Sequence, residues 1–186
     1  MSVTLTDNDR SEHYIKRGDP SKPTYYIIRP KYVLSGLFWH FAFSVGHIRY
    51  ALSKDWFPVV DLQNYPNAYL SPEKLGKENA WEYYFEQPSR ISLEEAFDGE
   101  NVILSCVESE PMRPVPSMRF TKENLSPFRN LVNQGFLKVK SEISEEVSIL
   151  KEKLFAPADR VLGVKLRGTD YVSSKPKYHH IPPPYR

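Results

Sequence analysis

The sequence has a single cysteine among its 186 residues. One cysteine cannot form a disulfide within the chain, and it cannot supply the paired thiolates of the common structural zinc sites. Cys106 follows the apolar run NVILS, a setting that favours an inert buried thiol over a reactive one. The sequence therefore gives no reason to expect a disulfide framework or a bound metal.

Net charge and long apolar runs are also lacking. The chain has 25 Lys and Arg against 23 Asp and Glu, a formal charge of +2, whereas a dedicated nucleic-acid binder normally presents a dense basic face. No apolar run is long enough to span a bilayer. The amino end, MSVTLTDNDR, is polar and has no apolar signal core. We therefore expect a cytoplasmic protein with no membrane span and no nucleic-acid partner.

The residues that are present describe a soluble α/β protein. Hydrophobic residues make up 40% of the chain and charged residues 26%. Residues 1–23 are polar and predict a flexible lead-in. Apolar residues then predict a strand at 25–28, a helix at 37–52 and a strand at 57–62, the order of a parallel β-α-β crossover. The fold class is therefore predicted to be α/β, with a Rossmann-like parallel sheet.

The second half continues the alternation of helices and strands. Ser92 with Glu95 predicts a capped helical turn, and residues 102–106 predict a strand. Ser126 and Pro127 have the order expected where a helix begins, and apolar spacing continues to residue 155. Gly135 interrupts this stretch, so two consecutive helices are possible, and packing against a sheet is favoured over a coiled coil.

A strand predicted at 160–166 runs directly into Arg167, Gly168 and Asp170. Ligands bind beyond the carboxyl ends of strands in open α/β sheets. A guanidinium held there suits phosphate oxygens, a glycine permits close backbone approach, and an aspartate can orient the arginine. The alternative for such a short motif is a surface ion pair, which is worth little energy.

An aromatic stretch at 79–88 (NAWEYYFEQP) is the second candidate site. Aromatic rings beside carboxylates and amides are typical of sugar-binding surfaces, which would make Trp81 and Tyr83 substrate-binding residues. The alternative is an aromatic belt that closes the core against a loop. Glu82 and Glu86 could share one helical face, but two carboxylates alone do not define a glycosidase pair.

The first predicted helix carries two further candidates. His40 and His47 are seven residues apart, too far for a shared metal without other ligands, so packing is favoured. Gly36 precedes this helix and could place backbone amides near an anion. The loop has a single glycine and no phosphate-loop pattern.

Four stretches together resemble a known family. Residues 164–171 (VKLRGTDY) resemble the His-x-Arg-x-x-Asp peptide of fucosyltransferases of the α1,2-, α1,6- and protein-O- types. Residues 36–38 (GLF), 59–66 (VVDLQNYP) and 79–88 are similar to glycosyltransferase-like proteins of polysaccharide gene clusters. The last of these stretches is the most specific, and the resemblance covers roughly residues 24 to 186.

This resemblance implies a GT-B architecture of two Rossmann-type halves. It also implies metal-independent, inverting transfer of a sugar from a nucleotide-sugar, typically GDP-fucose, to a glycan acceptor, with no cofactor. The resemblance makes Arg167 the diphosphate contact and catalytic residue, because charge builds on the leaving phosphate as the glycosidic bond breaks. Lys165, Gly168 and Asp170 become substrate-binding residues beside it, and Gly36 faces the same cleft.

Two departures from the family pattern affect this interpretation. Lys165 replaces the usual histidine, and Gly168 with Thr169 replaces the usual arginine and glycine. The chain ends sixteen residues after Asp170, so we expect an acceptor-side domain at 24–157 and an incomplete donor-binding domain at 158–186, with impaired transfer. The alternative is a non-catalytic glycan-binding or scaffolding remnant of such an enzyme.

Overall fold

The computed structural model describes residues 13–30, 36–105 and 121–155. Its strands are β1 (His13–Lys16), β2 (Thr24–Ile28), β3 (Phe57–Val60) and β4 (Asn101–Leu104). Its helices are α1 (Leu37–Leu52), α2 (Leu93–Asp98), α3 (Lys122–Asn133) and α4 (Ser141–Phe155), together with a 3-10 helix at Ala80–Tyr83. Within these ranges, no helix is both long enough and apolar enough to cross a membrane.

The chain divides into two compact units, Met1–Glu145 and Glu146–Arg186. The first unit contains the sheet and helices α1, α2 and α3. The part of the second unit that the structure describes is the carboxyl-terminal portion of α4, a helix in which no residue is buried.

The sheet has four strands in the order β1-β4-β2-β3. β2 pairs in parallel with both β3 and β4, whereas β1 pairs antiparallel with β4. The crossover from β2 through α1 to β3 confirms the predicted β-α-β unit. The fold is therefore mixed α/β. The predicted parallel sheet is confirmed for β2, β3 and β4, whereas β1 makes the sheet mixed.

β1 also corrects the predicted lead-in of residues 1–23, since residues 13–16 form an edge strand. Tyr14 pairs with Ile103 in the register of β1 and β4. The following turn is held by Asn101, whose side-chain amide donates to the carbonyl of Asp19 at 2.7 Å and accepts from the backbone N–H of Gly18 at 2.9 Å. β1 is only four residues long and its pairing partners in β4 lie far away in the sequence, so the local pattern did not predict it.

Each face of the sheet supports its own apolar core. The face covered by α1 buries these residues of the strands and helix: Tyr26, Ile28, Val60, Ile103, Val45, Ile48 and Ala51. The face covered by α2 buries Ile27, Val59, Val102 and Leu104 with Leu93 and Ala96. Side chains of successive strand residues point to opposite faces, which is why neighbouring residues of β2 enter different cores.

The helices confirm two sequence predictions and correct a third. The hydroxyl of Ser92 accepts from the backbone N–H of Glu95 at 3.0 Å, so the predicted cap of α2 is confirmed. The stretch interrupted by Gly135 does form two helices. The predicted start at Ser126 and Pro127 is wrong, because α3 begins at Lys122 with Pro127 inside it. A proline in that position removes one backbone hydrogen bond without stopping the helix.

The two histidines of α1 are packed in the core, as predicted. His40 and His47 are both about 1% exposed. The Nδ1 atom of His47 lies 2.8 Å from the hydroxyl oxygen of Tyr26. Burial removes water from the imidazole and lowers the pKa of His47 to about 3, so the neutral form is the one that fits the core.

The buried His47 should make the stability of the protein depend on pH. In the unfolded chain a histidine titrates near 6.5, so between about pH 6.5 and 3 the unfolded state binds a proton that the folded state does not. The free energy of unfolding should therefore fall as the pH falls through this window, by up to about 1.4 kcal/mol per pH unit from this group. Urea unfolding of wild type and of His47→Gln isolates the effect, because carboxylates titrate in both. The prediction is wrong if the difference in unfolding free energy between wild type and His47→Gln stays constant from pH 7 to pH 4.

Gly99 should tolerate no side chain. Its φ of −57° is open to any residue, but a Cβ at this position would collide with the ring of Tyr25 and press on the carbonyl of Ala96. Gly99→Ala should lower the free energy of unfolding by about 1–3 kcal/mol through overpacking. Gly36→Ser is the matched control, since the nearest atom to a Cβ there is the Tyr69 hydroxyl at 4.0 Å. Equal urea midpoints for the two variants would refute the prediction.

Candidate functional site at the carboxyl edge of the sheet

Three polar side chains meet where the parallel strands end. Arg29, Asp61 and Ser105 directly follow β2, β3 and β4. The backbone N–H of Arg29 donates to the Ser105 hydroxyl at 2.9 Å. The chain passes from β2 to β3 on one side and then to β4 on the other, so strand order reverses at β2. Such a reversal is where open α/β sheets bind ligands.

Arg29 is fixed at this edge by a buried carboxylate. Its Nε and Nη2 atoms donate to Oδ2 of Asp61 at 2.9 and 2.6 Å. The side chain of Asp61 is 0% exposed and that of Arg29 is 19% exposed. The guanidinium is therefore partly exposed to solvent, and the buried carboxylate of Asp61 sets its orientation.

The second oxygen of Asp61 organises the next turn. Oδ1 accepts from the backbone N–H groups of Gln63 at 3.0 Å and Asn64 at 2.9 Å. A buried carboxylate is tolerated only when it is paired and hydrogen-bonded, and Asp61 is both. One aspartate thus orients both Arg29 and the polar segment that follows β3.

Two side-chain amides from the aromatic stretch hold the free edge of β3. Gln87 pairs with both backbone groups of Val60, accepting from its N–H at 2.9 Å and donating to its carbonyl at 3.0 Å. Asn79 donates to the same carbonyl at 2.7 Å and accepts from the N–H of Leu62 at 3.1 Å. We call Asn79 and Gln87 the amide clamp. It occupies the positions that another strand would fill on this edge of the sheet.

The amide clamp also fixes Glu82. Its Oε1 accepts from Gln87 Nε2 at 2.8 Å and from Asn79 Nδ2 at 3.4 Å. Glu86, four residues later, instead pairs with Lys138, with 2.6 Å between Oε1 and Nζ. The two glutamates therefore have different partners, and only Glu82 is held by the amide clamp.

Arg29 and Glu82 line one polar cleft of about 650 Å³. Its other lining residues are Gln63, Asn64, Lys77, Ser92, Leu93, Glu94, Phe97 and Asp98. Guanidinium, carboxylate and amide groups together can both donate to and accept from the hydroxyls of a ligand. We call this region the carboxyl-edge cleft, and its volume is within the range of small-molecule sites.

The four site residues predicted from the Arg167 peptide cannot be compared with this cleft. Arg167, Lys165, Gly168 and Asp170 lie outside the described residues. Gly36 is the N-cap of α1 and therefore stands at the strand-helix crossover where it was predicted. Its side-chain position is open and its φ is −69°, so neither sterics nor backbone conformation requires glycine there.

The two aromatic residues predicted to bind sugar have different environments. Trp81 is 0% exposed, and its Nε1–H donates to the carbonyl of Glu86 at 3.1 Å. The indole ring is therefore not accessible to a ligand. Trp81 instead fits the alternative interpretation, an aromatic residue that closes the core. Tyr83 is half-buried and donates to Oε2 of Glu78 at 2.6 Å. This hydrogen bond raises the pKa of the Tyr83 hydroxyl. The assignment of Tyr83 as a substrate-binding residue stays a prediction.

Sequence reasoning missed Arg29 as a candidate. Its signal was present, because the strand YYII ends directly in an arginine, the same pattern that drew attention to Arg167. The partner was also visible as an acid ending the strand FPVV. Nothing local connected the two, since they are 32 residues apart.

Comparison of the chain with protein-family models, with curated proteins and with solved structures finds no match. Among the described residues, no group of three or more His, Cys, Asp or Glu side chains is arranged to hold a metal ion.

Removing the Gln87 arm of the amide clamp should destabilise the sheet. Gln87→Met keeps the length of the side chain but leaves the N–H of Val60 buried without its acceptor, at a cost of about 1–3 kcal/mol. Gln134→Met changes an exposed glutamine in the same way and is the control. Urea unfolding measures both, and equal stability of the two variants would show that the amide clamp does not support β3.

Proposed function

We propose that this chain is the acceptor-side part of a fucosyltransferase-like glycosyltransferase of GT-B architecture. It acts in transferring a sugar, fucose by family resemblance, from a GDP-sugar to a glycan acceptor, without a metal ion and with inversion. The carboxyl-edge cleft is the observation that supports this proposal best. It combines a fixed guanidinium, Arg29, with a fixed carboxylate, Glu82, at the edge of the sheet where ligands bind.

In this proposal the cleft binds the acceptor sugar. Glu82 accepts the hydrogen bond of the acceptor hydroxyl, and Arg29 and Asn64 contact neighbouring hydroxyls. Of the three acidic residues that line the cleft, Glu94 and Asp98 are exposed, whereas Glu82 is half-buried and oriented by two amides. A pre-oriented group loses less freedom on binding, which favours Glu82 as the specific contact.

The reaction then needs one proton transfer and one bond exchange. The acceptor oxygen bonds to C1 of the donor sugar while the bond from C1 to the diphosphate breaks, and the nucleoside diphosphate leaves with the electron pair. The hydroxyl proton passes to a carboxylate, a role that we assign to Glu82. Arg167 stabilises the charge that develops on the departing phosphate.

Donor binding is tested by the thermal stability of the protein in GDP. Millimolar GDP should raise the melting temperature, and Arg167→Ala should abolish the shift, because one charged phosphate contact is worth about 1.5–3 kcal/mol. Arg186→Ala removes another arginine of the same carboxyl-terminal stretch and should keep the shift. No shift in folded wild type, or a shift that Arg167→Ala retains, would exclude donor binding through this arginine.

A glycan-binding remnant without transfer is the second candidate. One observation favours it: the described residues that line the carboxyl-edge cleft all lie between positions 29 and 98, and they already supply donors and acceptors for the hydroxyls of a glycan. Under this alternative Glu82→Gln weakens acceptor binding and GDP has no effect. Glu95→Gln, on the same helix as four lining residues but outside the cleft, is the control.

A further inference from the structure

A second cleft, of about 470 Å³, lies where β3 begins, at the opposite end of that strand from Asp61. Its lining residues are Leu52, Asp55, Trp56, Phe57, Pro58, Pro88, Ser89, Arg90, Gln134, Gly135 and Phe136. We call it the amino-edge cleft. Its residues take no part in the site described above, and its volume is within the range of small-molecule sites.

Two helices end at the amino-edge cleft. At the end of α1, Asp55 has a φ of 58° and the N–H of Trp56 donates to the carbonyl of Ala51 at 3.0 Å. At the end of α3, Gly135 has a φ of 80° and the N–H of Phe136 donates to the carbonyl of Leu131 at 2.9 Å. Both are the left-handed endings that commonly terminate helices, so these two backbone conformations have a structural explanation.

Arg90 has no such explanation. Its φ is 57°, it follows no helix, and it ends a turn closed by its own N–H on the carbonyl of Gln87 at 3.0 Å. Glycine adopts this conformation freely, whereas an arginine there is strained. Its Nη2 atom lies 3.6 Å from where a Cβ of Gly135 would be, so the guanidinium extends over the end of α3. The strained position thus carries a long cationic side chain into a cleft, which motivates a functional role.

The lining has the composition of a carbohydrate site. Trp56, Phe57 and Phe136 supply aromatic surface, and Phe57 is 41% exposed. Asp55 and Arg90 supply planar acceptors and donors for hydroxyl groups, and their formal charges cancel. The carbonyl ends of two helices add partial negative charge, which disfavours an anionic ligand.

We propose that the amino-edge cleft is a second sugar site, which binds a neutral oligosaccharide through its aromatic residues and Arg90. The ligand stacks its C–H faces on the aromatic surface while its hydroxyls bond to Arg90 and Asp55. Such a site would hold a glycan at the opposite end of β3 from Asp61, and it needs neither a nucleotide nor the carboxyl-edge cleft.

The test is titration of the full chain with cellobiose, lactose and N,N′-diacetylchitobiose at millimolar concentration, followed by amide chemical shifts. At least one should bind and shift the amide resonances of residues 55–57 and of Ser89 and Arg90. Arg90→Gly and Phe57→Ala should each weaken that binding by about tenfold or more. Arg90→Gly should also raise the melting temperature by a few degrees, because it relieves the left-handed strain, so lost binding cannot be due to unfolding.

Three results would overturn the proposal: no binding of any of the three sugars, binding that both variants retain, or shifts confined to the carboxyl-edge cleft. Glu82→Gln is the control that separates the two sites, since it should leave binding at the amino-edge cleft unchanged. GDP is absent throughout, so the outcome does not depend on whether the chain binds a nucleotide-sugar.

Discussion

The amide clamp on β3 is the interaction on which the rest of the described site depends. Among the described strands β3 lies at an edge of the sheet, and its outward backbone groups at Val60 would otherwise be buried without partners. Because Asn79 and Gln87 satisfy them with side chains, the aromatic stretch is anchored at both ends. Trp81 then fills the core between the anchors, and Glu82 is directed by the same two amides. The two amides that satisfy the edge of β3 thus also position the carboxylate of Glu82.

The polar cluster at the strand ends follows similar logic. A buried aspartate is costly unless its oxygens are fully used, and Asp61 uses one on Arg29 and the other on the following turn. The result is a guanidinium fixed at the point where strand order reverses. A closed ion pair of this kind limits the affinity that Arg29 can offer an anion, which agrees better with a hydroxylated ligand than with a phosphate at this position.

Prediction from sequence succeeded where the signal was local. The β-α-β unit, the Ser92 cap and the packing of His40 and His47 follow from periodicity and from capping chemistry. It failed at β1 and at Pro127. β1 is a four-residue strand stabilised by pairing with β4, almost ninety residues away, and no local rule detects such a partner. Ser126 and Pro127 predicted the start of a helix, but Pro127 lies inside α3, which forms despite the loss of one backbone hydrogen bond.

The residue types at the strand ends and in the aromatic stretch were set by the sequence alone, and they supply donors, acceptors and a carboxylate for polar ligands. Tertiary structure decided which of those residues are exposed. Trp81 was predicted to bind a sugar but is buried, whereas Arg29 and Glu82 line a cleft. The physical reason is that burial and ion pairing are set by residues distant in the chain, such as Asp61 for Arg29, and a linear pattern does not contain those distances.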